Sequence, residues 1–227
     1  MNLIHYLDIH IDFIKLDIKF DKNWEMEGRN SMMAKIIGIL LMGLLLTTSI
    51  ALADTYEVDP VHSNVGFSVR HMVISKVIGN FTEFSGTIVF DEKNLTGSSI
   101  RGAIKTASIN TENEKRDGHL KSADFFDAAN HPEINFESRK VEKRSDGYVA
   151  IGRLTMKGVT KEIEIPFNIV GIVKNPMGKT VMGLEGHLKI NRQDYGISWS
   201  KTLDNGGLMV SDEVEIELNA EAVKKEG

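Results

Sequence analysis

The chain contains no cysteine among its 227 residues. This absence excludes disulfide bonds, thiolate zinc sites and cysteine nucleophiles together. It does not exclude an oxidising compartment, because a chain of this size can build a core and fold there without cross-links. The compartment therefore has to be inferred from targeting signals.

Runs of basic residues are also missing. The sequence has 27 Lys and Arg against 32 Asp and Glu, for a net charge of −5, and the basic residues are scattered. A nucleic-acid-binding protein would show a basic patch or stripe, so we expect no nucleic-acid partner. Neither an internal repeat nor a Pro- or Ser-rich linker interrupts residues 54–227, and we expect a single domain there.

A marked apolar run lies near the start of the chain. Lys35 precedes the apolar residues 36–46, and small residues then lead to an A-x-A element that ends at Ala53. This order predicts a secretory signal peptide over residues 32–53, cleaved between Ala53 and Asp54, and hence a periplasmic or secreted protein. The alternative is an uncleaved membrane anchor, which usually needs about 20 apolar residues.

Residues 1–31 stand in front of this signal peptide, which should itself be N-terminal. We interpret them as an upstream extension that is not translated, with Met32 as the true start. The alternative is a short cytoplasmic strand or amphipathic segment, because apolar residues alternate at Leu7, Ile9, Ile11 and Phe13.

Period-two alternation of apolar and polar residues dominates the rest of the chain, as in strands with one buried face. We expect about eight antiparallel strands, separated by turn signals, in an all-β sandwich or barrel. The alternating segments are residues 65–69, 84–90, 100–104, 134–136, 148–156, 163–169, 184–190 and 214–220.

One segment departs from the alternation. Residues 111–114 fit a capping box with Thr111 as the N-cap, and residues 115–120 can follow as a short helix. Leu120, Phe125 and Phe126 would pack this helix on the sheet or over a barrel end.

The interior of an eight-stranded barrel is either filled by side chains or able to hold one small ligand. Three strand glycines bear on the choice, namely Gly86, Gly102 and Gly186. Glycine on an inner face can mark the close approach of a ligand, or it can mark a bulge or a barrel corner. The sequence leaves both interpretations open.

Several motifs together resemble the YceI-like, polyisoprenoid-binding family: DPVHS (59–63), FSVRHM (67–72), GNF (79–81), NEKRDGHL (113–120), SADFFD (122–127), Pro132, GRLTMKGVT (152–160) and NRQDYG (191–196). The resemblance runs in order from Asp54 to about Val223. It implies a lipocalin-like antiparallel barrel whose apolar tunnel holds a long isoprenoid chain, in a periplasmic or secreted protein. The expected partners are then an isoprenoid lipid and a membrane contacted transiently for lipid exchange, and a homodimer is compatible with the sequence.

We predict two sets of site residues on this basis. Apolar positions predict the tunnel lining: Phe67, Val69, Phe84, Ile88, Phe136, Leu154, Phe167, Gly186, Leu188, Ile190 and Trp199. Polar side chains at the tunnel mouth would meet a lipid head group: Arg70, His71, Arg116, Asp117 and His119. For the last three, the alternative is a salt-bridged cap that closes the barrel end.

Other functional classes find weaker support. No G-x-S-x-G motif surrounds a serine, although Ser63 follows His62 and Ser122 lies near Asp117 and His119. Histidines never approach an H-E-x-x-H or H-x-H spacing, so we expect no catalytic residues, no metal and no cofactor. A ligand-free secreted interaction module, related to stress, is the main alternative to a lipid carrier, and a Ser/His/Asp hydrolase is a weaker one.

Overall fold

The computed structural model describes residues 53–202 and 208–226. The proposed extension and nearly all of the proposed signal peptide lie outside these residues. The first strand begins at Asp54, the residue predicted to follow the cleavage site.

Strands account for most of the described chain, and they form wherever the sequence alternates. The helix α1 spans Glu114–Lys121, and short 3-10 turns lie at Leu95–Gly97, Thr106–Ser108 and Arg192–Tyr195. The strands are β1 (Asp54–Val58), β2 (Asn64–His71), β3 (Ser75–Phe81), β4 (Phe84–Phe90), β5 (Ser99–Lys105), β6 (Ile109–Asn110), β7 (Glu133–Arg144), β8 (Gly147–Met156), β9 (Val159–Lys174), β10 (Thr180–Asn191) and β11 (Val210–Lys224).

All strand pairings in this sheet are antiparallel, and the sheet closes on itself. Starting from β1, the order is β4, β5, β7, β8, β9, β10 and β11, and β11 pairs with β1 again. The remaining strands extend the sheet from β11: β2 pairs with β11, β3 pairs with β2, and β6 pairs with β3. The prediction of an antiparallel barrel of eight strands with one short helix is confirmed.

The first long strand is broken, and both of its halves pair with β11. In β1, Tyr56 is opposite Lys224, and in β2, Asn64 is opposite Asn219. The break at residues 59–63 is fastened to β11 by backbone and hydroxyl hydrogen bonds: the Asp59 amide donates to the Glu221 carbonyl at 2.8 Å, and the Glu221 amide donates to Ser63 Oγ at 2.9 Å. The break therefore keeps the barrel closed while it bends the strand.

The two ends of the barrel are built differently. We call the end with the turns at 91–98, 145–146 and 175–179 the closed end, because a layer of buried side chains fills it. Phe90 and Tyr148 meet edge to face with their ring centroids 5.4 Å apart, and Tyr148 stacks on Phe167 at 5.5 Å. The rest of this layer consists of Tyr56, Val141, Met182 and Ala222.

The opposite end, which we call the helix end, is covered by α1, by residues 122–132 and by residues 192–201. Its buried cluster includes Phe81, Ile109, Phe125, Tyr195 and Ile197. This cover comes from loops and one short helix rather than from the strands themselves.

The N-cap of the helix lies two residues after the position that the sequence indicates. Asn113 is the N-cap, and its side-chain oxygen accepts a hydrogen bond from the Arg116 amide at 3.0 Å. Thr111 cannot cap the helix because Glu112 has a φ of 60°, which turns the chain away from a helical path. The prediction of Thr111 as the N-cap is therefore wrong.

Among the residues described, no helix has the length and apolar character needed to cross a membrane.

Candidate functional site

An apolar cavity of about 300 Å³ lies inside the barrel. Its wall is made by the inward-facing side chains of β2, β4, β5 and β7–β11, because these positions follow the period of two along each strand. At the helix end the wall also includes Leu120, Phe125 and Phe126. The closed-end residues Tyr56, Phe90, Tyr148 and Met182 are not part of the wall, so the cavity stops beneath their layer.

The structure places every predicted lining residue in this wall except Trp199. The residues in the wall are Phe67, Val69, Phe84, Ile88, Phe136, Leu154, Phe167, Gly186, Leu188 and Ile190. Trp199 lies outside the wall, where its ring contacts those of Phe125 and His119 at centroid distances of 5.2 and 4.9 Å. Lipid binding by the wall residues stays a prediction.

Gly86, Gly102 and Gly186 all line the cavity. Gly86 and Gly102 are directly opposite each other on β4 and β5, and none of the three lies at a shift in strand register. The bulge interpretation is therefore wrong for these positions. A Cβ atom at Gly102 would have no neighbour closer than 3.8 Å, so this stretch of wall leaves free space above bare backbone.

The residues predicted for a head-group site are not in the cavity wall. Arg116 donates from Nε to Thr111 Oγ1 and from a terminal nitrogen to the Thr111 carbonyl, both at 2.7 Å. Asp117 accepts hydrogen bonds from the Thr111 amide at 2.9 Å and the Thr111 hydroxyl at 2.5 Å. Arg116 and Asp117 thus lock the start of α1 to the end of β6, which favours the cap interpretation.

His119 is also engaged locally. Its Nε2 lies 3.0 Å from the Asp124 carboxylate, and its ring meets Phe125 and Trp199 edge to face. Arg70 is exposed on the outer face of β2. His71 follows the inward register of Val69 and lies opposite the wall residue Val210, so it is at the rim of the helix end.

Arg192 is a wall residue that the sequence pattern did not reveal. Only 4% of its surface is exposed, and its guanidinium donates to the carbonyls of Ile197, Trp199, Val210 and Ser211 and to the Asp212 carboxylate. Burial lowers the pKa of Arg192, and the charge of Asp212 opposes that shift. Arg192 therefore fastens the loop after β10 to the start of β11. The NRQDYG motif contained this residue, but spacing alone does not reveal a buried arginine.

The candidate hydrolase residues do not form a triad in the described chain. Ser63 Oγ donates to the Glu221 carbonyl, and Ser122 Oγ donates to the His119 carbonyl, so neither hydroxyl faces an imidazole nitrogen. Two Asp–His pairs do form, Asp59 with His62 and Asp124 with His119, but within residues 53–202 and 208–226 neither imidazole is hydrogen-bonded to a serine hydroxyl.

Asp59, His62 and Glu221 come together at the strand break, with side-chain ligand atoms all within 4.8 Å of one another. Sequence spacing could not show this cluster because Glu221 comes from the last strand. Glu221 alternates with the inward-facing Ala220 and Ala222, so the cluster lies on the outer face of the barrel. It is not part of the cavity.

A closed antiparallel barrel around an apolar cavity defines this chain as a lipocalin-like barrel protein. The chain matches the YceI-like domain model over residues 56–222 and belongs to the YceI-like family. Protein YceI of Salmonella newport is 35% identical over 196 residues, which cover 86% of this chain and 100% of the relative.

Solved structures show the same fold. The YceI protein of Campylobacter jejuni is 35% identical with a TM-score of 0.60, covering 69% of this chain and 90% of the other. A polyisoprenoid binding domain from Saccharophagus degradans is 16% identical with a TM-score of 0.54, covering 77% of this chain and 99% of the other.

Proposed function

We propose that this protein holds a long-chain isoprenoid lipid, of the polyprenyl or isoprenoid-quinone type, inside its barrel as a carrier or store. The observation that carries the proposal is the apolar cavity that runs from beneath the closed-end layer to the cover of the helix end. Its volume of about 300 Å³ falls within the range of small-molecule sites.

The length of the cavity favours a long ligand. On β11, the wall residues extend from Val210 to Ala220, and the register with β2 slips by two residues between Val210 and Val214. The remaining length corresponds to ~26 Å of strand at ~3.3 Å per residue. Barrel strands are tilted by roughly 40°, so the cavity is ~20 Å long. A space of about 300 Å³ over that length is narrow, which suits an elongated ligand chain.

The energetics are compatible with reversible exchange. Burial of apolar carbon is worth ~0.8 kcal/mol per CH₂ relative to water, but a membrane lipid is already buried in hydrocarbon. The cavity needs only to match the bilayer to within a few kcal/mol, so that lipid can move in either direction. A wall made mostly of apolar side chains meets that requirement.

An isoprenoid as cargo is further supported by the shared fold of the Saccharophagus degradans polyisoprenoid binding domain. The branch methyl groups of an isoprenoid need a channel wider than a linear chain needs, and the free space above Gly102 provides such width on β5. Linear lipids have to be tested beside isoprenoids, because an apolar wall does not by itself reject them.

We also propose that the protein acts in the periplasm or outside the cell after cleavage between Ala53 and Asp54. The start of β1 at Asp54 supports this boundary, since cleavage there would leave the barrel intact. Expression from Met32 should give an exported protein whose N-terminal residue is Asp54. Retention at the inner membrane with residues 36–52 uncut would contradict the proposal.

The test of the lipid proposal is native mass spectrometry of protein expressed from Met32 with its signal peptide. We expect a bound mass that matches an isoprenoid after extraction, and loss of that mass in a Gly102→Phe variant. A bound linear lipid would contradict the isoprenoid assignment. Empty wild-type protein that also fails to take up added polyprenyl phosphate or quinone would favour a ligand-free interaction module.

A further inference from the structure

The turn between β2 and β3 exposes a run of apolar side chains. We call Met72, Val73 and Ile74 the β2–β3 tip, and their exposed fractions are 38%, 67% and 80%. Leu208 is 40% exposed and precedes Met209, whose carbonyl accepts a hydrogen bond from the Met72 amide, so it lies beside the tip. Large apolar residues grouped at a protruding turn commonly mark a site of contact with another apolar phase.

The backbone conformation of the tip is also unfavourable for the residues that occupy it. The Ile74 amide donates to the His71 carbonyl at 3.2 Å, and the two central residues of this turn, Met72 and Val73, have φ values of 51° and 68°. Such turns strongly favour Asn-Gly, because β-branched residues rarely adopt a positive φ. A turn that places Met and Val there sacrifices stability, which points to a role for these side chains outside the fold.

The tip adjoins the end of the cavity. His71 immediately precedes it and lies opposite Val210, which is part of the cavity wall. The Met72 amide donates to the Met209 carbonyl at 2.9 Å, so the tip is tied to the segment that enters β11. At this end the barrel is covered by loops and α1, whereas a packed side-chain layer fills the other end.

Cations flank the tip. Arg70 lies two residues before it, and Lys201 accepts at its carbonyl from the Met209 amide at 2.8 Å. Both side chains belong to exposed residues, and neither has a carboxylate within ion-pair distance among residues 53–202 and 208–226. An apolar tip with basic neighbours is complementary to the surface of a bilayer that contains anionic lipids.

We propose that the β2–β3 tip is a membrane-docking element that inserts into an anionic bilayer and brings the helix end of the cavity to the lipid. The proposal rests on the proposed lipid carriage, because a cargo dissolved in a membrane has to be collected there. The occupant of this surface is therefore a lipid bilayer rather than a protein.

The test variant combines Met72→Asn, Val73→Gly and Ile74→Thr. These residues suit the turn, so the melting temperature should stay the same or rise, which separates docking from folding. Co-sedimentation with vesicles of phosphatidylglycerol and phosphatidylcholine should weaken by at least about tenfold, since three apolar side chains no longer insert. Unchanged sedimentation of this folded variant would overturn the proposal.

The β9–β10 hairpin provides a matched control. It also exposes apolar residues, Val170, Ile172, Val173 and Met177, but it projects from the closed end. Ile172→Thr with Val173→Thr keeps β-branched residues in the strand and should leave vesicle binding unchanged. An equal loss in this control would overturn the assignment of docking to the β2–β3 tip.

The charge contribution can be tested separately with Arg70→Gln and Lys201→Gln. Each should weaken binding to vesicles rich in phosphatidylglycerol by about fivefold at low salt and leave binding to pure phosphatidylcholine nearly unchanged. Equal losses on both vesicle types would contradict the charge contribution.

Vesicle binding is measured with lipid-free protein, so failure of the isoprenoid proposal would not mask the result. Light scattering without vesicles completes the test. A dimer that the tip variant breaks, together with no vesicle binding by the wild type, would identify a second copy of the chain as the partner and overturn membrane docking.

Discussion

The two ends of the barrel are covered by different kinds of structure. At the closed end, Phe90 meets Tyr148 edge to face and Tyr148 stacks on the wall residue Phe167, so this layer fills the barrel beyond the cavity. At the helix end, the cover is a helix and loops. A buried cluster that includes Phe125, Tyr195 and Ile197 holds this cover together with hydrogen bonds of Arg192 and Asp117. The cavity extends into the second end and stops short of the first.

The two ends differ in how readily their covers can open and close again. The closed-end rings of Phe90, Tyr148 and Phe167 lie on the barrel strands themselves and pack against one another, so they cannot move apart without disturbing those strands. Hydrogen-bonded loops can open as a unit while the strands keep their pairing, since such segments belong to the less stable part of a fold. We therefore expect lipid to enter and leave at the helix end.

The largest effect should follow the loss of Arg192. Arg192→Met removes the donors for four carbonyl groups and leaves Asp212 without its cation, so the free energy of unfolding should fall by about 3 to 5 kcal/mol. Urea denaturation followed by circular dichroism measures this change.

A variant at the closed end should lose a similar free energy of unfolding, and this allows the two ends to be compared directly. Phe90→Ala should also lose about 3 to 5 kcal/mol, because it leaves a void in a packed layer. Hydrogen exchange should then be faster in residues 192–201 for Arg192→Met and around β4 for Phe90→Ala. The same exchange pattern in both variants would show that the two ends are not independent.

The next effect concerns the hydrogen bonds by which Arg116 and Asp117 hold the start of α1 to Thr111. Arg116→Gln with Asp117→Asn should cost about 1 to 3 kcal/mol per group, because each of the two side chains forms hydrogen bonds with the buried Thr111. Melting temperatures and a comparison of anionic with neutral isoprenoid binding would test this. A selective loss of anionic lipid with an unchanged melting temperature would revive the head-group hypothesis for these residues.

A large side chain at the wall residue Gly102 should reduce lipid binding without destabilising either end of the barrel. Gly102→Phe projects into free space, so lipid load should drop by at least about tenfold, or ~1.4 kcal/mol, with the β-sheet circular dichroism retained.

Gly171→Phe is its control. Gly171 is also in a strand, and a Cβ atom added there would meet no neighbour within 4 Å, but this residue does not line the cavity. Normal lipid load in a folded Gly102→Phe variant would mean that the ligand does not occupy this part of the barrel.

The smallest effect belongs to the strand break and depends on pH. The hydrogen bond and charge of Asp59, with a contribution from Glu221, raise the pKa of His62 above 6.5, and the same hydrogen bond lowers the pKa of Asp59 below 3.8. The His62 contribution is complete below its unfolded pKa and is lost as pH rises through the raised value. The Asp59 contribution is lost as pH falls through its lowered value.

The melting temperatures of wild type and His62→Gln should therefore differ most between pH 3.8 and 6.5 and converge at higher pH. Parallel curves from acid to alkaline pH would contradict this coupling.

Strand positions and the inner face were readable from sequence because the period of two fixes which side chains share a face. That rule placed Phe67, Phe136 and Leu188 in the wall, and turn-forming residues indicated the turns that contain Gly147 and Gly178. The β2–β3 turn was missed because it contains no Gly, Asn or Pro. A turn made of Met72 and Val73 has no sequence signal of the usual kind.

Positions that depend on contacts between distant segments were not readable. Arg192 is buried among carbonyl groups supplied by both ends of a loop. Trp199 lies outside the wall, where its ring contacts His119 and the wall residue Phe125. Arg116 and Asp117 looked available for a ligand because their shared partner, Thr111, was expected to be a helix cap. The positive φ of Glu112, which is visible only in the structure, prevents Thr111 from capping the helix and leaves Asn113 as the N-cap.

The pairing of both halves of the first strand with β11 has a consequence for how the chain folds. Tyr56 pairs with Lys224, so the contacts that close the barrel join the two extremes of the described domain. Contacts of such large sequence separation form slowly, and a chain synthesised from its N-terminus cannot make them until β11 exists. Closure of the barrel is therefore a late step of folding, which requires that β11 has already been synthesised.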